Sequence, residues 1–337
     1  MTKIENITKK LYEDISERLM SGSTALPTEK ELCARYSCSR QTIRKVLLNL
    51  KEEKLITSRQ GSGYKLTGLN PDIRRNQVCL LFARPDEYIF PSLIYDIEKG
   101  ISSGYDVPMT VSVFETSADF YKERKILKEL LKNPPLAILS ECFSLMPNPN
   151  AELYKELEKA GCAPIFLYGT YRNMDAYPSI TEGSYDAVYN LIKKLILTGH
   201  KKICGVFKDN NPQELHKLYG FISAMRDNDL DFSKDSYLIV GPEPDLSELV
   251  NLCKKADVLI FCNDELAYPS VRKLKEQGII NLNDKAVYSF DNSYLSQVSS
   301  FRIPSFHHTK EPLAAAISER VLSIIKGQPK ISIVLPY

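Results

Sequence analysis

Residues 26–66 read LPTEKELCARYSCSRQTIRKVLLNLKEEKLITSRQGSGYKL, and this stretch decides the fold of the first part of the chain. Thr28 and Glu31 have the spacing of a capping box, which predicts that a short helix begins here. Ser39 is a good N-cap for a second, longer helix. In residues 55–66 two β-prone runs flank a glycine-rich tip, which predicts a β-hairpin.

An amphipathic helix is predicted ahead of this stretch. Isoleucine and leucine recur every three or four residues between positions 4 and 20. The run SGSTALP, residues 21–27, then interrupts the pattern. Three helices followed by a hairpin make a winged helix-turn-helix, whose last helix enters the major groove of DNA.

The last of these helices has one apolar and one basic face. Its apolar positions recur at helical spacing and predict a small core: Ile43, Val46, Leu47 and Leu50. The opposite side carries Arg40, Gln41, Arg44 and Lys45. Arginine can donate two hydrogen bonds to guanine, and glutamine can pair in a similar way with adenine. The sequence therefore predicts a module that reads double-stranded DNA.

Positive charge is concentrated in the same module. The whole chain carries a formal net charge of +2, yet residues 1–76 hold 15 lysines and arginines against 9 acidic residues. The remainder of the chain is therefore mildly acidic. A basic module on an acidic body indicates a polyanionic partner for the module alone.

From residue 77 onward, apolar runs typical of strands alternate with amphipathic segments typical of helices. Such apolar strands are buried on both faces of a parallel sheet. The strand runs are 78–83, 109–114, 136–140, 163–168, 202–207, 236–240, 257–262 and 286–290. The helical segments are 91–103, 119–132, 151–160, 184–198, 213–228 and 264–277. The alternation predicts a doubly wound α/β architecture with two Rossmann-like lobes.

Three parts are predicted along the chain. They are a winged helix-turn-helix at 1–67, a linker at 68–76 and a two-lobed domain at 77–337. The linker is rich in glycine, proline and polar residues. We expect the chain to cross between the lobes near 179–184, 290–293 and 305–309.

No metal, cofactor or catalytic site is predicted. The eight cysteines are scattered without a CxxC pair, which favours buried thiols over zinc ligands. The chain lacks a P-loop, a GxGxxG after the first strand, a GxSxG and an HExxH. It also lacks the apolar run of a membrane span, and MTKIENITKK lacks that of a signal peptide, so we expect a cytoplasmic location and no membrane partner.

Residues 26–66 resemble the GntR-type winged-helix domain, whose pattern runs roughly LPSE, LA, VSR, TVR and G-x-GTFV. The match covers the whole module, and it implies a DNA operator as the partner. By position it assigns the DNA contacts to Glu29, Lys30, Arg40, Thr42 and Arg44 and, in the wing, to Gln60, Gly61 and Gly63. Ser39 and Gln41 are predicted to contact DNA from their places at the start of the same helix.

Residues 77–330 resemble the sugar-responsive LacI/GalR-type domain, which has the periplasmic-binding-protein fold. The likeness is carried by TGHKKI at 198–203, NDELA at 263–267 and AVYSFDN at 286–292. A GntR head on such a body resembles the arabinose-repressor group. Two segments also resemble that group in sequence: DEYIFPSLIYDIE at 86–98 and FDNSYLSQVSSFRIPSFHHTKEPLA at 290–314.

This resemblance implies a repressor of carbohydrate-utilisation genes that acts as a homodimer on a near-palindromic operator. A monosaccharide effector such as L-arabinose would release it from DNA. Lys217 stands where the family usually has an arginine that binds the sugar. Lysine lacks the bidentate geometry of arginine, so the family's sugar is not assigned to this chain from the resemblance alone. A regulator of the same architecture that senses a purine or another metabolite is the alternative. An enzyme has no supporting motif, and an architectural DNA-binding protein would not need the ligand domain.

The effector site is expected beyond the carboxyl ends of the strands, where open α/β sheets bind ligands. Sugars need aromatic planes and fixed polar groups. The predicted effector contacts are Tyr88, Phe90, Glu141, Tyr168, Tyr171, Lys208, Lys217, Asn263, Asp264, Asp291 and His307. Asp291 stands at the family's sugar-binding aspartate, whereas Asp264 is also a candidate cap for the helix that begins there.

Overall fold

The structure is a computed structural model. It describes residues 7–8, 10–11, 14–15, 18, 26–52, 56–59, 63–66, 76–104, 109–230, 233–241, 244–306, 310–328 and 330–336. Most of the predicted linker, the wing residues Gln60 and Gly61, and the effector candidate His307 lie outside the described residues. The chain divides into two compact units, one of residues 1–77 with 133–136 and one of residues 78–132 with 137–337.

The first unit contains the winged helix-turn-helix. Its described elements are α1 (Glu29–Arg35), α2 (Arg40–Glu52), β1 (Ile56–Arg59) and β2 (Gly63–Leu66). The two strands pair antiparallel, with Ile56 opposite Leu66, as the predicted hairpin requires. The capping box is present, since the Thr28 hydroxyl accepts from the Glu31 amide and the Glu31 carboxylate accepts from the Thr28 amide.

A small apolar core holds these elements together. The four apolar positions predicted on α2 are all buried. Ile7, Leu11 and Ile15 pack in the same cluster, and their backbone is helical, which confirms the predicted first helix at the positions described there. Burying the apolar face leaves the basic face of α2 directed outward.

The second unit contains two parallel sheets. Its strands are β3 (Gln77–Phe82), β4 (Thr110–Glu115), β5 (Ala137–Glu141), β6 (Ala163–Leu167), β7 (Ser179–Glu182), β8 (Ile203–Phe207), β9 (Tyr237–Ile239), β10 (Val258–Phe261), β11 (Ala286–Phe290), β12 (Ser305–Phe306) and β13 (Ile333–Leu335). One sheet has the order β13-β7-β6-β5-β3-β4 and the other the order β12-β11-β10-β8-β9. We call the part built on the first sheet the N-lobe and the part built on the second sheet the C-lobe.

Helices cover both sheets. They are α3 (Phe90–Ser103), α4 (Phe120–Lys132), α5 (Ala151–Lys159), α6 (Ser184–Leu197), α7 (Pro212–Asp227), α8 (Leu246–Lys255), α9 (Asp264–Glu276), α10 (Leu295–Val298) and α11 (Lys310–Ile325). Each lobe has its own apolar core, in which strand residues such as Ile138 and Ile260 are inaccessible to solvent. The predicted α/β architecture of two lobes is confirmed.

The chain crosses between the lobes at two of the three predicted places. It leaves the N-lobe sheet after β7, and it returns after β12 to place α11 against α3. That helix pair is close because Gly100 has no side chain: a Cβ there would lie 2.4 Å from the Ser318 hydroxyl. The crossing predicted at 290–293 is wrong, since β11 and β12 pair within the C-lobe sheet.

Six of the cysteines, all in the second unit, are buried, as predicted. Cys33 and Cys38 in the head are partly exposed, so the expectation of a buried thiol is wrong for this pair. Across the described residues, no helix is long and apolar enough to span a bilayer.

Candidate DNA-reading face and effector cleft

The outward face of α2 carries the cations predicted to contact DNA. Ser39 caps the helix, because its hydroxyl accepts from the Thr42 amide at 3.2 Å and lies 2.8 Å from the Thr42 hydroxyl. Arg40, Gln41 and Arg44 are exposed beyond this cap. Helix N-termini present free amides and a partial positive charge, both of which suit a phosphate.

Glu29 on α1 lies beneath this face and joins it to the wing. Its carboxylate accepts from the Arg44 Nε at 3.1 and 3.2 Å and from the Tyr64 hydroxyl on β2 at 3.2 Å. The Arg40 Nε lies 3.9 Å from the same carboxylate. Partial burial raises the pKa of Tyr64, and the negative charge of Glu29 raises it further.

The other head residues predicted to contact DNA lie around this cluster. Lys30 is exposed on α1 and makes none of these contacts. Gly63 begins β2 with φ of +73°, a left-handed conformation that glycine adopts without a Cβ clash. Tyr64 was missed by the sequence analysis, and spacing could not have found it, because its partner Glu29 is 35 positions away.

The second candidate site is a cleft between the two lobes, at the carboxyl ends of the strands. It encloses a cavity of about 240 Å³. Seven of the predicted effector contacts line it: Tyr88, Phe90, Glu141, Tyr168, Lys208, Asn263 and Asp291. Further lining residues that the sequence analysis did not name include Arg84, Phe143, Gln213, Glu214 and Glu265. Their position just after a strand or at a helix start is the signal that could have found most of them.

Asp291 is a point where the two lobes meet inside this cavity. The Tyr88 hydroxyl of the N-lobe donates to its Oδ2 at 2.8 Å, and the Lys217 amine of the C-lobe donates to its Oδ1 at 3.3 Å. Lys217 also donates to the Cys262 carbonyl oxygen at 2.8 Å and lies 3.4 Å from Glu214. Burial lowers the pKa of Lys217, but the carboxylates of Asp291 and Glu214 outweigh it, so the pKa is raised and the amine is charged.

Three predicted effector contacts do not line this cavity. Lys217 lies behind Asp291, with only 1% of its side chain exposed. Tyr171 is buried against Phe143 and Phe166 and donates to the Glu141 carbonyl oxygen. Asp264 is buried as well, and its carboxylate accepts from the Ser293 amide and hydroxyl. These side chains support the cavity wall.

The cap of α9 differs from the expected one. Asn263 caps this helix, since its side-chain oxygen accepts from the Leu266 amide at 2.9 Å. Asp264 is therefore free of that role and anchors the loop that follows β11 through Ser293. The Asn263 amide nitrogen donates to Glu214 at 3.2 Å, so the same residue also fixes a carboxylate of the cavity.

An ion-pair cluster crosses the mouth of the cleft. The Glu265 carboxylate lies 2.7 Å from Arg84 of the N-lobe and 3.1 Å from Lys208 of the C-lobe. Burial raises the pKa of Glu265, but the two cations outweigh it and the pKa is lowered overall. Arg84 also pairs with Glu87 at 2.9 Å. The lobes are therefore joined by charge at the mouth and by the Tyr88–Asp291 hydrogen bond inside.

Glu141 differs from the other carboxylates of the cavity, because no cation among the described residues forms an ion pair with it. Its Oε2 accepts from the Ala83 amide at 2.7 Å. Burial raises the pKa of Glu141 to about 7, against the lowering effects of that amide and of Arg84. Near neutral pH this side chain can therefore either donate or accept a hydrogen bond.

Four residues that line the cavity have left-handed backbone conformations. Tyr88, Ala118, Tyr168 and Asp291 have φ of 57°, 53°, 69° and 85°. Each directly follows or lies close behind a strand of its sheet. Within the described part of the chain, no group of three or more His, Cys, Asp or Glu side chains is arranged to hold a metal ion.

A head that presents cations on a helix, joined in one chain to two lobes around a polar cleft, defines a DNA-binding transcription regulator. Residues 3–66 match the family described as "Bacterial regulatory proteins, gntR family". The chain is 26% identical to the arabinose metabolism transcriptional repressor of Halalkalibacterium halodurans, over 98% of this chain and 91% of that protein. It is 22% identical to the transcriptional repressor PurR of Aliivibrio salmonicida, over 66% of this chain and 68% of that protein.

Among solved structures, the fold is similar to that of a periplasmic binding protein/LacI transcriptional regulator from Alkaliphilus metalliredigens complexed with D-xylulofuranose. The TM-score is 0.65 at 18% identity, covering 77% of this chain and 96% of that chain. The chain thus has a head that matches the gntR family of regulatory proteins and a body with the fold of LacI-type regulators.

Proposed function

We propose that the protein represses carbohydrate-utilisation genes and that a monosaccharide, with L-arabinose as the first candidate, releases it from DNA. In this proposal it binds a near-palindromic operator as a homodimer, one head on each half-site. Arg40, Gln41, Arg44 and the wing contact the DNA, and the cavity between the lobes holds the sugar.

The placement of Asp291 carries the proposal. Its carboxylate lines the cavity, and the buried Lys217 amine holds Oδ1, so Oδ2 stays oriented toward a hydroxyl donor. Phe90, Phe143 and Tyr168 supply apolar surface beside it, and Asn263 supplies an amide. A small number of fixed polar groups among aromatic side chains suits a sugar ring.

The release of DNA requires that the sugar bind one arrangement of the lobes better than the other. The Tyr88–Asp291 hydrogen bond gives a route, because a sugar hydroxyl that bonds to Asp291 Oδ2 competes with Tyr88. A coupling of about 1–3 kcal/mol between the two sites would weaken operator binding about 5–150-fold.

Calorimetry of the full-length protein against pentoses, hexoses and nucleobases tests the effector class. We expect a pentose to bind and the Asp291→Asn variant to lose that binding while it still binds DNA duplexes selected from a random-sequence pool. Asp209→Asn, an aspartate at the cleft mouth that does not line the inner cavity, is the matched control. If a nucleobase binds and no sugar does at millimolar concentration, the sugar assignment fails and only the repressor architecture survives.

A purine-responsive repressor is the second candidate. The similarity to PurR over two thirds of the chain favours it. The nucleobase arm of the same calorimetry decides between the two, since a purine would have to bind more tightly than any sugar tested.

The domain limits at 1–67, 68–76 and 77–337 are part of the proposal. Limited proteolysis should first cleave in or near residues 68–76, because exposed linkers between compact units are cut most readily. A first stable cut within residues 77–337 would contradict this division.

A further inference from the structure

The contact between Glu29 and Arg44 uses only one edge of the arginine. The Glu29 oxygens accept from Nε at 3.1 and 3.2 Å. The guanidinium has two terminal amino groups besides Nε, and arginine grips guanine in a two-pronged, bidentate contact. A carboxylate that binds Nε can therefore orient the guanidinium and leave its two terminal amino groups available to a base.

Glu29 itself is poorly placed to be a DNA contact. Only 18% of its side chain is exposed, whereas 63% of Arg44 and 69% of Arg40 are exposed around it. Its carboxylate already accepts from Arg44 and from the Tyr64 hydroxyl. A carboxylate that faced the phosphates without such donors would be repelled by them.

We propose that Glu29 and Tyr64 are positioning residues that hold Arg44 for base reading, so that the sequence preference of the recognition helix depends on the wing. The inference rests on the proposed contact between Arg44 and operator bases. Tyr64 lies on β2, the second strand of the wing, and its hydroxyl fixes the carboxylate that fixes Arg44. An arginine that is already oriented loses less conformational freedom on binding, which favours the correct base pair over others.

The test uses the full-length protein and a pool of random-sequence DNA duplexes. Wild-type protein and the variants Arg44→Ala, Glu29→Gln and Tyr64→Phe each select their preferred sequences from the pool. Glu31→Gln is the matched control: it removes a carboxylate from the same turn, and glutamine can still complete the capping box with Thr28. Circular dichroism and thermal melting verify that every variant is folded.

We expect Glu29→Gln and Tyr64→Phe to lower affinity for the wild-type selected sequence by about 5–30-fold, the effect of a one- to two-kilocalorie loss. Both should relax the base preference at the position that Arg44→Ala relaxes. Glu29→Gln and Glu31→Gln each remove one negative charge, so both should raise affinity for unselected DNA to a similar extent. Only Glu29→Gln should lose sequence preference.

Four results would overturn the inference. Base preference that is unchanged in both Glu29→Gln and Tyr64→Phe would show that Arg44 needs no positioning. If Glu29→Gln alone changed the preference, at a position different from that of Arg44, Glu29 would be a direct base contact. Unchanged preference in Arg44→Ala would instead remove the proposed base contact on which the inference rests. Positioning further requires that the losses from Glu29→Gln and Arg44→Ala are not additive in the double variant.

Discussion

The head and the cleft use the same chemical pair, a carboxylate that holds a cation, under opposite conditions of solvation. In the head, Glu29 holds Arg44, and most of the arginine is exposed. In the cleft, Asp291 holds Lys217, and the exposed fractions are 7% and 1%. Exposed ion pairs contribute about 0–1 kcal/mol, whereas breaking a buried pair costs about 3–5 kcal/mol.

The difference indicates what each pair is for. The head pair adds little to folding, so its energetic effect is expected in the complex with DNA, where the arginine is desolvated. The cleft pair is already desolvated, so the fold depends on it before any ligand arrives. Variants at the two sites should therefore separate stability from binding.

Lys217→Met should have the largest effect on stability. It leaves Asp291 buried without its cation, and we expect the free energy of unfolding to fall by about 3–5 kcal/mol. Urea denaturation of the full-length protein measures this. The double variant Lys217→Met/Asp291→Asn should recover part of the loss, because no unpaired charge remains. A loss below about 1 kcal/mol in the single variant would show that the buried pair behaves like a surface pair.

Arg44→Ala should show the opposite behaviour. Operator affinity should fall by about 1–3 kcal/mol, whereas the free energy of unfolding should change by no more than about 0.5 kcal/mol. Gel-shift titration and urea denaturation of the same preparation give both values. A stability loss as large as the binding loss would contradict the distinction between the two regions.

Glu141 tests the cleft through pH. Its pKa is raised from an ordinary 4.5 to about 7 by burial, so between these values the folded state binds more protons than the unfolded state. This group therefore makes the free energy of unfolding fall as pH rises through that window, by less than about 1.4 kcal/mol per pH unit. Glu141→Gln should remove this part of the slope. An identical pH profile in the variant would show that Glu141 titrates near its ordinary value.

Removing an ion pair at the cleft mouth should cost less stability than Lys217→Met does. Glu265 is 30% exposed and bridges Arg84 and Lys208, whereas the Arg84–Glu87 pair is about half exposed on both sides. We expect Glu265→Gln to cost about 1 kcal/mol and Glu87→Gln less than about 0.5 kcal/mol. Thermal melting of the two variants measures the order, and a reversed order would contradict the dependence on burial.

The sequence predicted the elements far better than the contacts between them. The strand runs at 163–168 and 286–290 appear as β6 and β11, because continuous apolar runs and their flanking turns are local signals. The helix α11 and the two-residue strand β12 were not named, since neither gives a strong local pattern. The hairpin was predicted from two β-prone runs around a glycine-rich tip, which are also local signals.

The sites follow the same rule. Asp291 was named from a family resemblance and lines the cavity, but its partners Tyr88 and Lys217 lie 203 and 74 positions away. Nothing in local spacing says that Lys217 is buried behind Asp291 or that Arg84 meets Glu265. The effector and DNA contacts remain predictions, because placement in a cavity or on a face does not test what binds there.

The left-handed backbone of Tyr88, Tyr168 and Asp291 bears on how this protein can be engineered. Such conformations cost of order 1–3 kcal/mol each in non-glycine residues, somewhat less for aspartate. Glycine would relieve this torsion, but at Asp291 it would leave Lys217 buried without its carboxylate, and at Tyr168 it would empty the space of a buried aromatic side chain. The same replacements would delete the hydroxyl and carboxylate groups that line the cleft. Selection for thermostability alone should therefore keep Asp291 and Tyr168, and stabilising replacements are expected elsewhere in the chain.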